Sequence, residues 1–132
     1  MTRRKVYRLG DLQLKIMKIL WECGEATVGQ VFELIGKESE LAYTTISTML
    51  RKMEARGLIS HRSEGRTFIY RAKVAAETVS RSMADHLVDR MFEGSLTEAV
   101  NHLLITRDVS RDELAKLERL IAETKKRRSR QP

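Results

Sequence analysis

A mainly α-helical fold with one small β-hairpin is what this 132-residue sequence predicts, and three observations predict it. Leu41 to Gly57, read at 3.6 residues per turn, splits into an apolar face and a face of small hydroxyls and cations. Two segments of alternating or β-branched character, Leu58 to Arg62 and Thr67 to Arg71, follow it and flank the turn Ser63-Glu64-Gly65-Arg66. From Ala75 onward the apolar residues recur at helical spacing.

In chain order, residues 1–8 carry Arg3, Arg4, Lys5 and Arg8 and read as a mobile basic arm. Leu9 to Gly24 is the first helix, opened by Gly10-Asp11 and closed by Gly24. Leu12, Ile16, Ile19 and Leu20 form its main stripe and Leu14, Met17 and Trp21 a second, so it is expected to be the covered central beam of its domain. Cys23 is expected to act as a small buried or half-buried hydrophobe. Thr27 caps a short helix from Val28 to Ile35 with Val31, Leu34 and Ile35 inward, ended by Gly36, and Lys37 to Glu40 link it onward.

On the next helix Ile46, Met49, Leu50 and Met53 share one arc, while Thr44, Ser47, Thr48 and Arg51 lie opposite with Thr45 and Lys52 on the flank. Short hydroxyls permit close approach, and Arg51 can reach a phosphate or a guanine edge. This pattern fits a helix made to lie in a DNA major groove, although an ordinary amphipathic helix with a Thr-rich start has the same periodicity. Two short helices joined tightly, the second with this outer face, make a helix-turn-helix, and the hairpin directly after it is a wing. Gly65 supplies the positive φ of the hairpin turn, and Arg66 at its tip can reach a phosphate; Arg62 and Arg71 also decorate it.

Beyond Lys73 three helices are expected. Ala75 to Phe92 carries Val79, Met83, Leu87 and Met91, and Gly94 ends it. Ser95 with Glu98, and Ser110 with Glu113, read as capping boxes opening two more. These present Leu103 and Leu104, then Leu114, Leu117, Leu120 and Ile121. One thin layer cannot bury so much apolar stripe, and the simplest cover is a second copy of the segment, which predicts a homodimer.

Composition agrees with a folded cytoplasmic protein: 42% hydrophobic, 33% charged, with no apolar run of membrane-spanning length and no secretory h-region after the basic start. The formal charge of +7 is unevenly placed. Residues 1–73 hold 14 Lys/Arg against 8 Asp/Glu, residues 74–124 hold 6 against 10, and Lys125, Lys126, Arg127, Arg128 and Arg130 end the chain. A basic front, an acidic middle and a basic tail fit a nucleic-acid module joined to an interaction module. One cysteine excludes an internal disulfide, and His61, His86 and His102 show no metal-ligand spacing. No phosphate loop or nucleophile elbow is present, so neither an enzyme nor a cofactor is expected.

The segments LGDLQLKIMKILWECGEATVGQVFELI and LAYTTISTMLRKMEARGLISHRSEGRTFIYRA, with SLTEAVNHLLITRDVSRDELAKLERLI more weakly, resemble the penicillinase-repressor family of bacterial transcription factors. The resemblance covers the chain apart from the arm and tail. It implies a winged-helix DNA-binding domain, a helical dimerisation domain, and a homodimer that represses from a palindromic promoter site. It places the DNA contacts at Thr44, Thr45, Ser47, Thr48, Arg51 and Arg66, and the helical reading adds Lys52. Some relatives are released through a membrane sensor and cleavage between Asn and Phe; here the nearest stretch is Asn101-His102-Leu103, without that pair. The Cys-x-Cys pair of copper-responsive members is absent from the KKRRSRQP end.

The resulting expectation is a winged-helix DNA-binding domain over 1–73, a dimerisation domain over 74–124 and a basic tail over 125–132. The rival readings are a non-specific architectural DNA binder and a winged helix used for protein–protein interaction.

Overall fold

A computed structural model of the chain describes residues 7–36 and 39–131. Arg3, Arg4 and Lys5 of the expected arm, and Lys37 and Glu38 of the link, lie outside the described residues. The chain divides into two units, Met1–His86 and Leu87–Pro132, with the division inside one helix.

The first unit contains α1 (Asp11–Cys23), β1 (Ala26–Thr27), α2 (Val28–Val31) continued by a π-helical turn (Phe32–Gly36), α3 (Tyr43–Ala55), β2 (Ile59–Glu64) and β3 (Thr67–Ala72). It closes with the first part of α4 (Ala76–Phe92). α1 begins after Gly10, whose amide donates to Gln13 Oε1 at 3.3 Å, and ends at Gly24, whose φ of 82° lets its amide return to the Leu20 carbonyl. Thr27 and Gln30 form a full capping box at α2: Thr27 Oγ1 accepts from the Gln30 amide and Gln30 Oε1 from the Thr27 amide.

α3 ends in a Schellman motif. The Leu58 amide returns to the Met53 carbonyl and the Gly57 amide to the Glu54 carbonyl, with Gly57 at φ 79°. Met53 and Leu58 are both buried, which supplies the apolar contact that accompanies this turn.

The sheet is antiparallel in the order β1-β3-β2. β2 and β3 pair from Ile59↔Ala72 to Glu64↔Thr67, leaving Gly65-Arg66 as a two-residue turn. Gly65 takes the first turn position at φ 63°, where a glycine-first hairpin requires it. β1 adds the pairs Ala26↔Tyr70 and Thr27↔Ile69.

Ile16, Met17 and Leu20 of α1, Val31 and Ile35, Ile46, Leu50 and Met53 of α3, and Leu58, Ile59 and Tyr70 form one core. Trp21 lies half-buried at its margin and donates Nε1–H to the Val74 carbonyl at 2.9 Å, tying α1 to the chain leaving the sheet.

Four expectations are corrected here. Leu34 is 56% exposed, because the wider π turn advances each residue by a smaller angle and carries Leu34 off the face shared by Val31 and Ile35. Cys23 is exposed, since the last residue of α1 lies past the covered part of the beam. Tyr7, assigned to the arm, is buried, and its amide donates to Ser82 Oγ at 2.8 Å. Val79, assigned to the dimer stripe, is 1% exposed within the first unit's core, and Met83 packs against that core. Both are therefore used within the chain, and the first unit reaches past Lys73 into α4.

The second unit holds the rest of α4, α5 (Leu96–Thr106) and α6 (Arg111–Arg130). Ser95 Oγ accepts from the Glu98 amide and Ser110 Oγ from the Glu113 amide, each at 3.1 Å, so both predicted caps form on the serine side. Gly94 at φ 82° ends α4. α6 continues as helix through the basic tail to Arg130, well past Ile121, where its apolar stripe stops.

The two faces of α3 yield a paired prediction. Leu50→Ala should lower unfolding stability by about 2–5 kcal/mol. Thr48→Ala, on the exposed face, should stay within roughly 0.5 kcal/mol of the parent. Urea unfolding of both variants checks this; equal losses would mean that the helix does not separate its faces as described.

Candidate nucleic-acid interface

α3 owes its exposed surface to its buried one. Ile46, Leu50 and Met53 are fully buried, and their spacing at i, i+4 and i+7 fixes the helix's rotation about its own axis. Thr44, Thr45, Thr48, Arg51 and Lys52 are consequently exposed, and Ser47 is half-buried at the edge. A shallow depression on this side is lined by Thr44, Thr45, Thr48, Met49 and Lys52. The Arg51 and Lys52 side chains form no ion pair or hydrogen bond among the described residues.

The cations nearby that do have partners are structural. Arg56 donates through Nη1 to Gln13 Oε1 and through Nη2 to the Arg8 carbonyl, both at 3.1 Å. Gln13 in turn donates to Met49 Sδ at 3.4 Å, so the start of α1 is laced to α3. Arg56 is thereby withdrawn from the exposed face, leaving Arg51 and Lys52 as its charge.

The wing is fixed at two places. His61 on β2 lies 2.7 Å from Glu54 Oε2 of α3, and its ring stacks on Phe68 with centroids 4.1 Å apart. That contact occupies the Glu54 carboxyl and clamps β2 to the end of α3. Arg62 bridges Glu25 at 2.9 Å and Glu64 at 3.2 Å. Its hydrogen bond first, and its charge second, hold the Glu25 carboxyl below its ordinary value. A depressed folded-state value means that the link is intact at neutral pH and opens as acid takes the pH down through that value. Arg71 directs Nε toward Ser60 Oγ at 3.5 Å. Arg66 stands exposed at the hairpin tip with no ion pair or hydrogen bond among the described residues, so of the three wing arginines it is the one left for an external anion.

Sequence reading brought Thr44, Thr45, Ser47, Thr48, Arg51 and Lys52 onto one helix and Arg66 to one tip, and the structure places them there. It missed Tyr43. This residue opens α3, is 50% exposed, and has its ring edge-on to Phe32 at 5.7 Å. Its position at the start of the helix whose outer face carries the candidate contacts is the signal that could have drawn attention to it. Among the described residues no group of acidic, His or Cys side chains could hold a metal ion, and no helix is long and apolar enough to cross a membrane.

A family described as penicillinase repressor matches residues 9–123 of the chain. The chain is 26% identical to the penicillinase repressor of Bacillus licheniformis over 125 residues, 95% of this chain and 98% of that one. It is 35% identical to the transcriptional regulator BlaI of Mycobacterium tuberculosis over 122 residues, 90% and 86% of the two chains. Among solved structures, the DNA binding domain of the repressor BlaI matches with a TM-score of 0.50 and 28% identity, covering 58% of this chain and 93% of that one. A mutant MarR from E. coli reaches a TM-score of 0.50 at 14% identity over 88% of this chain, a likeness of fold alone.

The free cations give a prediction on duplex DNA. Arg51→Ala should weaken binding to a cognate duplex by about 1–3 kcal/mol and relax base preference there. Arg66→Ala should weaken cognate and scrambled duplexes alike, and lower the slope of log K against log salt by roughly one. Fluorescence-anisotropy titrations at several salt concentrations check both. An unchanged affinity for Arg51→Ala, or an altered base preference for Arg66→Ala, would contradict these assignments.

Proposed function

The chain belongs to the penicillinase repressor family of DNA-binding transcriptional repressors, which are not enzymes, and from that premise we propose that it acts as a homodimer on a palindromic promoter operator. The observation that carries the dimer is the composition of the second unit's surface. Leu87, Met91, Leu96, Val100, Leu103, Leu104, Ile105, Leu114, Leu120 and Ile121 are exposed there, while Ala99 is its buried hydrophobe among the described residues. Helices of 11 and 20 residues gain little stability alone in water, and an apolar surface of this extent marks an interaction site.

A second copy supplies an equal stripe. Pairing like with like gives a two-fold interface in which each residue meets its counterpart's neighbours. Leu87, Met91, Leu103, Leu104, Leu114, Leu120 and Ile121 are the proposed contacts, with half-buried Leu117 between them. Leu96, Val100 and Ile105 extend the surface.

The operator symmetry follows from the protein's. A two-fold dimer presents two copies of α3, and each reads one half-site in the major groove, the half-sites lying about one helical turn or a small multiple of it apart. Within each half-site Thr44, Thr45, Ser47 and Thr48 permit close approach, Arg51 and Lys52 supply charge, and Arg66 holds a phosphate from the wing. Tyr43 adds an aromatic edge at the start of the helix. Sitting on a promoter, such a dimer represses by occupying the site that transcription requires.

The coupling between the two units can be measured. A fragment of residues 1–94 retains the first unit and all of α4 but lacks α5 and α6. It should be monomeric at micromolar concentration and bind the full operator about 100- to 10,000-fold more weakly, because the second recognition helix is no longer tethered at high effective concentration. Analytical ultracentrifugation and operator titration test this; parental affinity in a monomeric fragment would rule out the dimer-coupled mechanism.

A further inference from the structure

We propose that the cationic end of α6, Lys125 to Arg130, is a second, sequence-independent DNA contact that binds phosphates on the duplex carrying the operator; this rests on the DNA-binding function proposed for the chain. The segment lies beyond residues 9–123, which the family match covers, so the family's recognition helix and wing do not account for it.

Three observations point to a polyanion. The segment is ordered helix: Thr124 Oγ1 donates to the Leu120 carbonyl at 2.8 Å and Ser129 Oγ to the Lys126 carbonyl at 2.9 Å. Lys125, Lys126, Arg127, Arg128 and Arg130 are all exposed, and none forms an ion pair among the described residues. Arg127 makes one neutral contact, to Thr124 Oγ1 at 3.3 Å. Side chains advance by about 100° per residue, so four consecutive cations surround the helix axis rather than forming one stripe.

That all-round placement chooses between partners. A membrane surface takes a helix through an apolar face opposite the basic one, and residues 123–131, ETKKRRSRQ, contain no apolar side chain to insert. A protein partner of ordinary kind is anchored by a buried aromatic or aliphatic residue, and none is present there either. DNA phosphates require only cations, and they release counterions when met. Cations also favour a helix C-terminus for its dipole, but one or two in the last turn serve that purpose, and here there are five in six residues.

The test replaces all five in the full-length protein: Lys125→Gln, Lys126→Gln, Arg127→Gln, Arg128→Gln and Arg130→Gln. Glutamine keeps helix propensity, and sedimentation confirms that the assembly matches the parent. Binding is titrated on operator and scrambled duplexes from about 50 to 200 mM salt, the range over which phosphate neutralisation is read most directly, with cosedimentation on phosphatidylserine vesicles in parallel.

The expected result is a salt slope reduced by about 0.9 for each phosphate that the variant no longer neutralises, at least one, on both duplexes, with the specificity ratio unchanged. One such phosphate corresponds to roughly an eightfold weaker affinity at about 0.1 M salt. A parental slope on both duplexes overturns the proposal, whether or not the variant loses binding to vesicles. A loss confined to the operator overturns its sequence-independent character. If the parent itself showed no preference for operator over scrambled DNA, the operator reading would fall instead, while the change in slope would still report on the tail.

Discussion

Ile46, Leu50 and Met53 are wholly withdrawn from solvent on one side of α3, and the rest of the first unit is arranged to receive them. Each such side chain contributes about 1.5–3 kcal/mol on leaving water, so the helix cannot rotate about its axis without losing a large part of a domain's net stability. That constraint holds the threonines and Arg51 outward. Precision at the exposed face is thus inherited from packing behind it. Gln13, which contacts Met49 and Arg56, and the Schellman turn at Gly57 fix the helix at its margins.

The wing shows how charge is apportioned. Three arginines sit on or beside the hairpin, and two have internal duties: Arg62 joins Glu25 and Glu64, and Arg71 leans on Ser60. These exposed contacts add little energy, but they set where the side chains spend their time. Glu54, the acidic residue on α3, is engaged by His61, whose ring stacks on Phe68. The Glu54 side chain thereby becomes the clamp between helix and wing.

The two units solve different problems. The first encloses a core from Tyr7 to Val79 and has no buried polar residue among those described. The second leaves its leucines open, and in the proposed dimer a copy of the same surface completes what one chain lacks. Stability and DNA affinity would then depend on protomer concentration together, because the helices that hold the dimer also keep the two recognition helices on one operator.

The sequence by itself determined whatever is local. Period 3.6 located α1, α3 and the three later helices; Thr27, Ser95 and Ser110 marked where helices begin, and Gly24, Gly57 and Gly94 where they end. The exposed residues of α3 were legible for the same reason, because opposite faces of one helix are fixed by its pitch. What only the tertiary structure decided is what lies across from each face. Periodicity gives a side chain's direction but not its neighbour, so Val79 belonged to an apolar stripe in sequence and to the first unit's core in space. β1 is two residues long and has no period to read. Leu34 was misplaced by a π turn, and Glu54 found His61 seven residues away through a chain reversal. Tyr7 and Ser82 met across 75 residues, a distance over which local patterning carries no information.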